Sequence, residues 1–336
     1  MIFAIRADAG VVQGTGHVMR CLSLAEKLLE RGHQVHLLTN ESGIAWLESA
    51  IEASGVRVSR VEADSIELDS IKAYNPDWLI VDSYQIPASA ISEVNQAIPV
   101  LAIVDSDSRG IEATLYLDTN LFAEKLDWSG DVAKRLLAGS KYSLIRNQVM
   151  TQARSEPWKI SNRSVNLLVF LGGSDPYDYS PLVAKALAGL ELDFKATFIA
   201  PERLHETVKL ALGAASAKVN LIGPTPTLAS FYGNADVVIS AAGTSSWDVC
   251  TLGIPSLLLA VVDNQQFSLA QIAENGLTLT NNLTDGRPGK IAALTDQIAS
   301  LVTDYSLREQ LSKKARSYFD GKGRDRVVDR LEQGAV

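Results

Sequence analysis

The sequence predicts an α/β protein made of two doubly wound, Rossmann-like halves. Its 336 residues exceed the length of a typical single domain, so two domains are expected. Strand-like and helix-like segments alternate along both halves, as they do in parallel sheets covered by helices. Several strands, such as WLIV at 78–81 and LAIV at 101–104, are continuously apolar, which is typical of strands buried on both faces.

A polar interval divides the two halves. TQARSEPWKISNRS, residues 151–164, contains Pro157 and has no hydrophobic period, which is typical of a linker. The sequence therefore predicts an N-terminal domain over 1–150 and a C-terminal domain over 165–336. A ligand is expected in the cleft between them, outside the carboxyl ends of the strands.

The first half opens with a βαβ unit. The strand IFAIRA leads through a glycine-containing loop into the helix HVMRCLSLAEKLLERG and then into the strand QVHLLT. In that helix Val18, Cys21, Leu22 and Ala25 recur at three- and four-residue spacing, and Gly32 ends it. The alternation continues through GIAWLESAIEASG (helix), VRVSRV (strand), DWLIVDSY (strand), ASAISEVNQA (helix), VLAIVDS (strand) and ATLYLD (strand).

The second half repeats the alternation, beginning with the strand VNLLVFLGG at 165–173. Its further segments are SPLVAKALAGL (helix), FKATFIA (strand), RLHETVKLALG (helix), VNLIG (strand), TLASFYGNA (helix), DVVISAA (strand), SSWDVCTLG (helix) and PSLLLAV (strand). Helices are expected from there to the end of the chain.

The charge balance argues against two classes of partner. The formal charge is −8, from 31 Lys and Arg against 39 Asp and Glu, and no dense basic cluster offsets it. Nucleic acids and anionic membranes need concentrated positive charge, so neither is expected as a partner. With no secretory signal and no apolar run near the ~18 residues of a membrane span, a cytoplasmic protein is expected. Cys21 and Cys250 lack C-x-x-C spacing and are interpreted as small buried hydrophobes.

A histidine stands at the start of the first helix, in GTGHVMR at 14–20. Gly14 and Gly16 allow a ligand to approach the backbone closely. A helix N-terminus favours a neutral imidazole at His17, which can accept a proton. The alternative is a tight turn for a dinucleotide or phosphate that His17 only caps, although the third glycine of G-x-G-x-x-G is absent. On these residues alone both interpretations stay open.

Two loops of the second half combine small residues with a following helix. Their members are Gly172, Gly173 and Ser174 in LGGSD, and Gly243, Thr244, Ser245 and Ser246 in AAGTSS. Helix N-termini with glycine and serine bind anions without much side-chain charge, which suits a diphosphate in an acidic protein. The alternative for each loop is a simple tight turn. Asp248, one turn into the second helix, is either an acceptor for a ribose diol or a favourable cap.

Three further polar features follow strands. DSD at 105–107 resembles the Asp-x-Asp that holds a metal ion in some enzymes. No further carboxylate or histidine cluster supports a metal site there, so an ordinary strand end is favoured. Tyr84 in VDSYQ and Asn264 in VVDNQQ can both face the cleft, but each alone is an ordinary polar loop residue.

Taken together, the motifs resemble one family over nearly the full chain and in the same order. The segments are IRADAGVVQGTGHVMRCLSLAEKL, IVDSYQI, LDTN, GSKYSLIRNQ, FLGGSD, ISAAGTSSWDVCTLGIPSLLLAVVDNQ and GKGRDRVVDRL. They resemble the UDP-sugar hydrolases of pseudaminic-acid biosynthesis, which are similar to MurG-type glycosyltransferases. The resemblance implies a GT-B-like fold, in which two Rossmann-like domains face each other across a cleft.

The resemblance also implies an activity and a set of site residues. The activity is hydrolysis of UDP-2,4-diacetamido-2,4,6-trideoxy-β-L-altropyranose at the anomeric C–O bond, giving free sugar and UDP without a metal or other cofactor. His17 would be the base for the attacking water, with Tyr84 and Asn264 positioning the sugar or the water. Residues 243–246 would contact the diphosphate and Asp248 the ribose. The other implied substrate contacts are Gly14, Gly16, Arg20, Gly172, Gly173, Ser174, Gly223 and Gln265.

Two residues depart from the family pattern. Asp248 stands where relatives commonly carry Glu, and Ser83 stands where the motif D-H-Y has histidine. The shorter Asp248 reaches a ribose less far, and Ser83 alters the sugar pocket, so the identity of the sugar stays open. Two other functions also stay open: a glycosyltransferase with an unknown acceptor, and a non-catalytic nucleotide-sugar binding protein. The sequence does not predict the oligomeric state.

Overall fold

The computed structural model describes residues 1–10, 14–154, 164–286 and 289–334. The chain forms two compact units. Unit 1 comprises Met1–Asn147 and Gly321–Val336, and unit 2 comprises Gln148–Asp320. Among the described residues each unit contains one sheet, and its neighbouring strands all pair in parallel.

Unit 1 is built on a seven-stranded sheet. In chain order its elements are β1 Ile2–Ala7, α1 Gly16–Glu30, β2 Gln34–Thr39, α2 Ala45–Ala53, β3 Arg57–Arg60, α3 Leu68–Lys72, β4 Trp78–Asp82, α4 Ala88–Asn95, β5 Val100–Ile103, β6 Leu115–Asp118, α5 Gly130–Lys134 and β7 Leu136–Ala138. The strand order is β3-β2-β1-β4-β5-β6-β7. The order reverses between β1 and β4, and the loops after these strands lie where doubly wound sheets bind ligands.

Unit 2 is built on a six-stranded sheet. Its elements, beginning with a helix that spans the unit boundary, are α6 Asn147–Met150, β8 Val165–Phe170, α7 Ser180–Ala188, β9 Phe194–Ile199, α8 His205–Leu212, β10 Val219–Ile222, α9 Ala229–Tyr232, β11 Val237–Ala241, α10 Ser245–Leu252, β12 Ser256–Ala260, α11 Gln266–Glu274, β13 Leu279–Asn282, α12 Lys290–Thr303 and α13 Tyr305–Arg316. The strand order is β10-β9-β8-β11-β12-β13, which reverses between β8 and β11.

The two sheets confirm the predicted fold class. Strands β4, β5, β11 and β12 are buried along their whole length, as their continuous apolar runs predict. Helix α1 buries the face formed by Val18, Cys21, Leu22 and Ala25, which is the periodic set in its sequence. Cys21 and Cys250 are both buried and unpaired.

The last helix, α14 Gly323–Glu332, belongs to unit 1 rather than unit 2. Val327, Val328 and Leu331 are fully buried in the core of unit 1. Arg324, also buried, donates to Glu26 of α1 at 2.9 Å. The predicted C-terminal domain over 165–336 therefore differs from the structure at its end, because the chain returns to the first sheet after residue 320.

Two further predictions concern the linker over 151–164 and the chain after β12. Of the predicted linker over 151–164, residues 155–163 lie outside the described residues. Strand β13 lies where only helices were expected, and it pairs with β12 from Leu257–Leu279 to Ala260–Asn282. Its sequence, LTNN, has a single apolar residue and so gives no strand period. Within the described part of the chain, no helix combines the length and apolarity needed to cross a bilayer.

Candidate active site

His17 lies in the first turn of α1, just beyond the carboxyl end of β1. Gly10 and Gly14 form an antiparallel bridge, with N–O distances of 3.1 and 2.7 Å. Gly14 has φ +84°, which residues with a Cβ rarely adopt, and Gly16 begins the helix. Gly14 and Gly16 thus lead directly into α1, whose first turn places His17 at the switch point of the sheet.

A carboxylate on the neighbouring strand holds the imidazole of His17. Its Nδ1 lies 2.6 Å from Oδ1 of Asp82, the last residue of β4, and the two side chains are only 10% and 1% exposed. Because an ionised carboxylate can only accept hydrogen bonds, Nδ1 carries a proton and donates it. The lone pair of a neutral ring is then on Nε2, which is the atom able to take a proton from a ligand.

Arg20 keeps this carboxylate ionised. Its guanidinium donates four hydrogen bonds to carboxylates, two to Asp82 and two to Asp105. Burial alone would raise the pKa of Asp82, but the Arg20 charge and its hydrogen bonds outweigh burial and hold that pKa well below its usual range. The same competition between burial and Arg20 lowers the pKa of Asp105 to about 2. Arg20, expected as a substrate contact, is thus bound by two carboxylates of its own unit.

Tyr84 lies two residues beyond β4 and is 43% exposed. Its hydroxyl donates to Oδ2 of Asp105 at 2.5 Å. Its ring meets the His17 imidazole edge-on, with centroids 4.8 Å apart and planes at 84°. On the ring's face, the Arg109 guanidinium lies 5.0 Å from the centroid. Partial burial and the Asp105 charge raise the pKa of Tyr84, so the phenol keeps its proton.

The segment after β6 supports the Asp105 loop. Asn120 donates its side-chain N–H to Asp105 Oδ1 at 2.9 Å. The Asp118 carboxylate accepts the backbone N–H groups of Ser106, at 2.7 Å, and of Asn120, at 2.9 Å. Burial raises the pKa of Asp118 to about 6, despite these two hydrogen bonds.

The DSD segment is occupied by contacts within the protein. Asp105 accepts hydrogen bonds from Arg20, Tyr84 and Asn120, and Asp107 accepts the backbone N–H of Arg109 at 3.0 Å. No group of His, Cys, Asp or Glu within the described ranges has the arrangement of a metal site. The segment follows β5, which ends at Ile103.

In unit 2 the loop after β11 leads directly into α10. Thr244 precedes the first helical residue, Ser245, and no side chain caps the helix. Ser246 is buried, and its hydroxyl has no hydrogen-bond partner among the described residues. The N–H groups of Ser246 and Trp247 already donate to the carbonyls of Gly243 and Thr244, at 3.0 and 3.2 Å, so Thr244 and Ser245 carry the N–H groups that can donate to an anion. Asp248 lies in the same first turn.

The turn after β12 meets this loop through Gln265. Its side-chain oxygen accepts the backbone N–H of Val261 at 2.9 Å, which fixes the carboxamide. Its Nε2 lies 3.7 Å from the point a Cβ would occupy on Gly243, so the two loops are adjacent. Asn264 is exposed in the same short turn. The structure thus groups Gln265 with the 243–246 loop at the carboxyl ends of β11 and β12.

The LGGSD loop leads from β8 to α7, which begins at Ser180 as the segment SPLVAKALAGL predicts. Gly172 has φ +87° and follows β8 closely. The Asp175 carboxylate accepts the backbone N–H groups of Tyr179 and Ser180, at 3.0 and 2.8 Å. A protein carboxylate therefore already occupies the N-terminus of α7, and any ligand contact from 172–174 must come from the loop itself.

Gly223 lies apart from the other predicted contacts, beyond the edge strand β10. The carboxylate of Glu202 packs beside it, so close that a Cβ at this position would clash with Oε1. The absence of a side chain at Gly223 thus makes room for Glu202. An acidic group here does not favour a phosphate nearby.

Sequence reasoning missed several residues of the unit 1 site: Asp82, Arg109, Asp118 and Asn120, together with the role of Asp105 as a hydrogen-bond acceptor. Asp82 and Asp118 each end a buried strand, which is the one signal that was available. Their partners are 65 and 12 residues away in sequence, and no spacing rule links such pairs.

Comparison with known proteins gives a fold and a relative. No family model matches the chain. Among solved structures, MurG from Acinetobacter baumannii superimposes with a TM-score of 0.72 at 16% identity, covering 99% of this chain and 100% of MurG. A UDP-GlcNAc 2-epimerase from Neisseria meningitidis, bound to UDP-GlcNAc, gives 0.68 at 12% identity, covering 99% and 100%. The fold is therefore that of the GT-B proteins.

In sequence the chain is similar to the spore coat polysaccharide biosynthesis protein SpsG of Bacillus subtilis (strain 168). The two are 26% identical over 349 residues, which is 99% of this chain and 98% of SpsG. An uncharacterized protein of Methanocaldococcus jannaschii, MJ1062, is 24% identical over 269 residues. These residues are 77% of this chain and 55% of MJ1062.

Proposed function

We propose that this protein uses water to cleave the anomeric C–O bond of a UDP-activated sugar, releasing the free sugar and UDP. The observation that carries the proposal is the 2.6 Å hydrogen bond from His17 to Asp82 at the switch point of unit 1. A carboxylate on Nδ1 directs the basic lone pair of the imidazole to Nε2, as a general base requires.

In the proposed reaction His17 Nε2 takes a proton from water as the water oxygen bonds to the anomeric carbon. The bond from that carbon to the diphosphate oxygen breaks, and its electron pair leaves with UDP. The imidazolium that forms is stabilised by Asp82, whose lowered pKa keeps it charged. The imidazolium then releases this proton to solvent, which restores the neutral His17 for the next turnover.

The departing diphosphate also needs stabilisation. We assign this to the backbone N–H groups of Thr244 and Ser245 at the start of α10, within the loop Gly243–Ser246, with Gln265 beside Gly243. Asp248, in the same turn, is the proposed acceptor for the ribose diol. Asn264 remains a proposed sugar or water contact, based on the resemblance.

The comparisons support nucleotide-sugar chemistry in general. The SpsG name refers to polysaccharide biosynthesis, and the epimerase structure holds UDP-GlcNAc. The finer choice of UDP-2,4-diacetamido-2,4,6-trideoxy-β-L-altropyranose as substrate, and of pseudaminic-acid biosynthesis as pathway, is proposed from the family resemblance of the motifs.

A glycosyltransferase is the second candidate, favoured by the similarity in fold to MurG and to the spinosyn rhamnosyltransferase SpnG. The same His17 would then deprotonate an acceptor hydroxyl in place of water. The two candidates differ in one requirement, since a transferase leaves the UDP-sugar largely intact until its acceptor is present.

The test is UDP release without acceptor, in H₂¹⁸O and with EDTA. The proposed hydrolase releases UDP and places ¹⁸O in the free sugar, because the C–O bond breaks. Incorporation of ¹⁸O into UDP would mean that water attacks phosphorus, and it would contradict the proposal. UDP-sugar that stays intact until a polysaccharide or lipid acceptor is added would identify a transferase.

A further inference from the structure

The hydroxyl of Tyr84 donates its proton to a hydrogen bond within the protein. It has one proton, which it gives to Asp105 at 2.5 Å. Asp105 is a carboxylate that only accepts, and its two oxygens also receive two hydrogen bonds from Arg20 and one from Asn120. The direction of the Tyr84–Asp105 bond is therefore fixed from the protein side.

The ring of Tyr84 is held as firmly as its hydroxyl. The His17 imidazole contacts it edge-on, and the Arg109 guanidinium lies over its face. Arg109 is anchored in turn, donating to the backbone carbonyl of Ser83 at 2.7 Å. Tyr84 is nevertheless 43% exposed, so a ligand beside His17 can reach it.

We propose that Asp105 is a specificity-positioning residue: by taking the Tyr84 proton, it leaves the phenolic oxygen as an acceptor that selects sugars with an N–H or O–H donor facing it. This inference rests on the proposed function and narrows its substrate class. In a diacetamido sugar the donor is an acetamido N–H. A sugar that presents only an acceptor there would place two oxygen lone pairs against each other.

The test compares a diacetamido UDP-sugar with its two mono-acetoxy analogues, in which one acetamido N–H is replaced by an ester oxygen of nearly the same shape. The measured quantity is the ratio of kcat/KM, amide over ester, at each position. The wild type is expected to prefer the amide about tenfold or more at one position, because the ester leaves the acceptor unpaired.

Three variants locate the origin of that preference. Tyr84→Phe keeps the ring contacts and is expected to bring the ratio to within about twofold of unity. In Asp105→Asn one carboxylate oxygen becomes an N–H; with the remaining oxygen kept on Arg20 Nη1 and Asn120, this N–H faces the phenol, frees the hydroxyl proton for the ligand, and is expected to abolish or invert the preference. Tyr74→Phe is the matched control, because its hydroxyl contacts Ser59 at 2.6 Å, away from the site, and the wild-type ratio is expected.

The outcomes separate the inference from the proposed function. UDP release with no amide preference in the wild type, or with the full preference retained in Tyr84→Phe, would overturn the inference and leave the hydrolase standing. No release from any of the three sugars would overturn the proposed function and the inference with it. If Asp105→Asn fails to fold, the Tyr84→Phe variant alone decides the test, and its melting temperature shows that it is folded.

Discussion

At the scale of single residues, the proposed chemistry depends on one proton on one nitrogen. Asp82 holds the Nδ1 proton of His17, and Arg20 keeps Asp82 ionised. An asparagine in place of Asp82 could present either its oxygen or its N–H to the imidazole. The tautomer would then no longer be fixed, and the developing imidazolium would lose its counter-charge.

Asp82→Asn is therefore expected to lower kcat by about 10²-fold or more. It also breaks a buried ion pair, so a lower melting temperature is expected. Asp8→Asn is the matched control, because Asp8 is equally buried and pairs with Arg6 at 2.5 Å in the same unit. Both variants should lose stability, but only Asp82→Asn should lose turnover; equal kcat values in the two would contradict the role of Asp82.

A second residue-scale prediction concerns Asp118. Its pKa is raised to about 6 by burial, so between pH 4 and 6 the folded state binds more protons than the unfolded state. The free energy of unfolding therefore falls as pH rises through this window, by about 1–3 kcal/mol from this group. Asp82 and Asp105 have the opposite sign, since their lowered pKa values give stability that is lost only as pH falls below about 4.

The measurement is the unfolding free energy of unit 1 at pH 4 and pH 7 in the wild type and in Asp118→Asn, which cannot ionise. Relative to the variant, the wild type should be less stable at pH 7 than at pH 4. Asp69→Asn, at an exposed position on α3, serves as control and should show no such change. Parallel behaviour of wild type and Asp118→Asn would contradict the assignment.

At the scale of elements, α14 completes the first core after the chain has built the second sheet. Leu331 is fully buried in that core. Leu331→Ala is expected to destabilise unit 1 by about 2–5 kcal/mol, through lost burial and the cavity left behind. Hydrogen exchange of the α1 amides measures this, because α14 packs on α1 through Arg324 and Glu26.

The control for this prediction is Leu210→Ala on α8, at a position 74% exposed, where a change below about 0.5 kcal/mol is expected. Unchanged exchange of the α1 amides in Leu331→Ala would mean that α14 contributes little to unit 1. Faster exchange confined to unit 2 would contradict the unit boundaries.

Helix α10 carries the proposed nucleotide contact. Asp248→Ala is expected to weaken UDP binding by about tenfold or more, because hydrogen bonds to a charged group are among the stronger ones. Isothermal titration with UDP measures this. Asp296→Ala, at an exposed position on α12, is the control and should bind UDP like the wild type. If Asp248→Ala binds UDP equally well, Asp248 serves only the helix N-terminus.

The elements also mark how far the sequence could be interpreted. The strands β1 and β2 have the predicted bounds, because each is a short apolar run next to a loop that contains glycine. Helix α7 begins at Ser180, as its sequence predicts, but Asp175 accepts the Ser180 N–H from five residues upstream, and nothing in the local pattern predicts that contact. His17 could be singled out by its position behind two glycines, whereas Asp82 and Asn120 join the site only through the order of the strands.

At the scale of the whole molecule, the chain uses one topology twice. Both sheets run 3-2-1-4-5-6 when the strands of each unit are counted separately, with a seventh strand added to the first. Each switch point presents a different chemistry: a His–Asp pair in unit 1, and a glycine- and serine-rich helix N-terminus in unit 2. The repeated alternation made this architecture predictable, while the return of α14 to unit 1 leaves no local signal.

The central claim is that His17 is the base of a water-dependent UDP-sugar cleavage. The most direct measurement compares His17→Asn with the wild type, using His205→Asn as control, since the His205 imidazole hydrogen-bonds the Ala200 carbonyl at 2.9 Å in unit 2. The readouts are acceptor-free UDP release and UDP affinity. The account predicts turnover lower by about 10²-fold or more in His17→Asn alone, with UDP affinity nearly unchanged. Wild-type turnover in His17→Asn would contradict it.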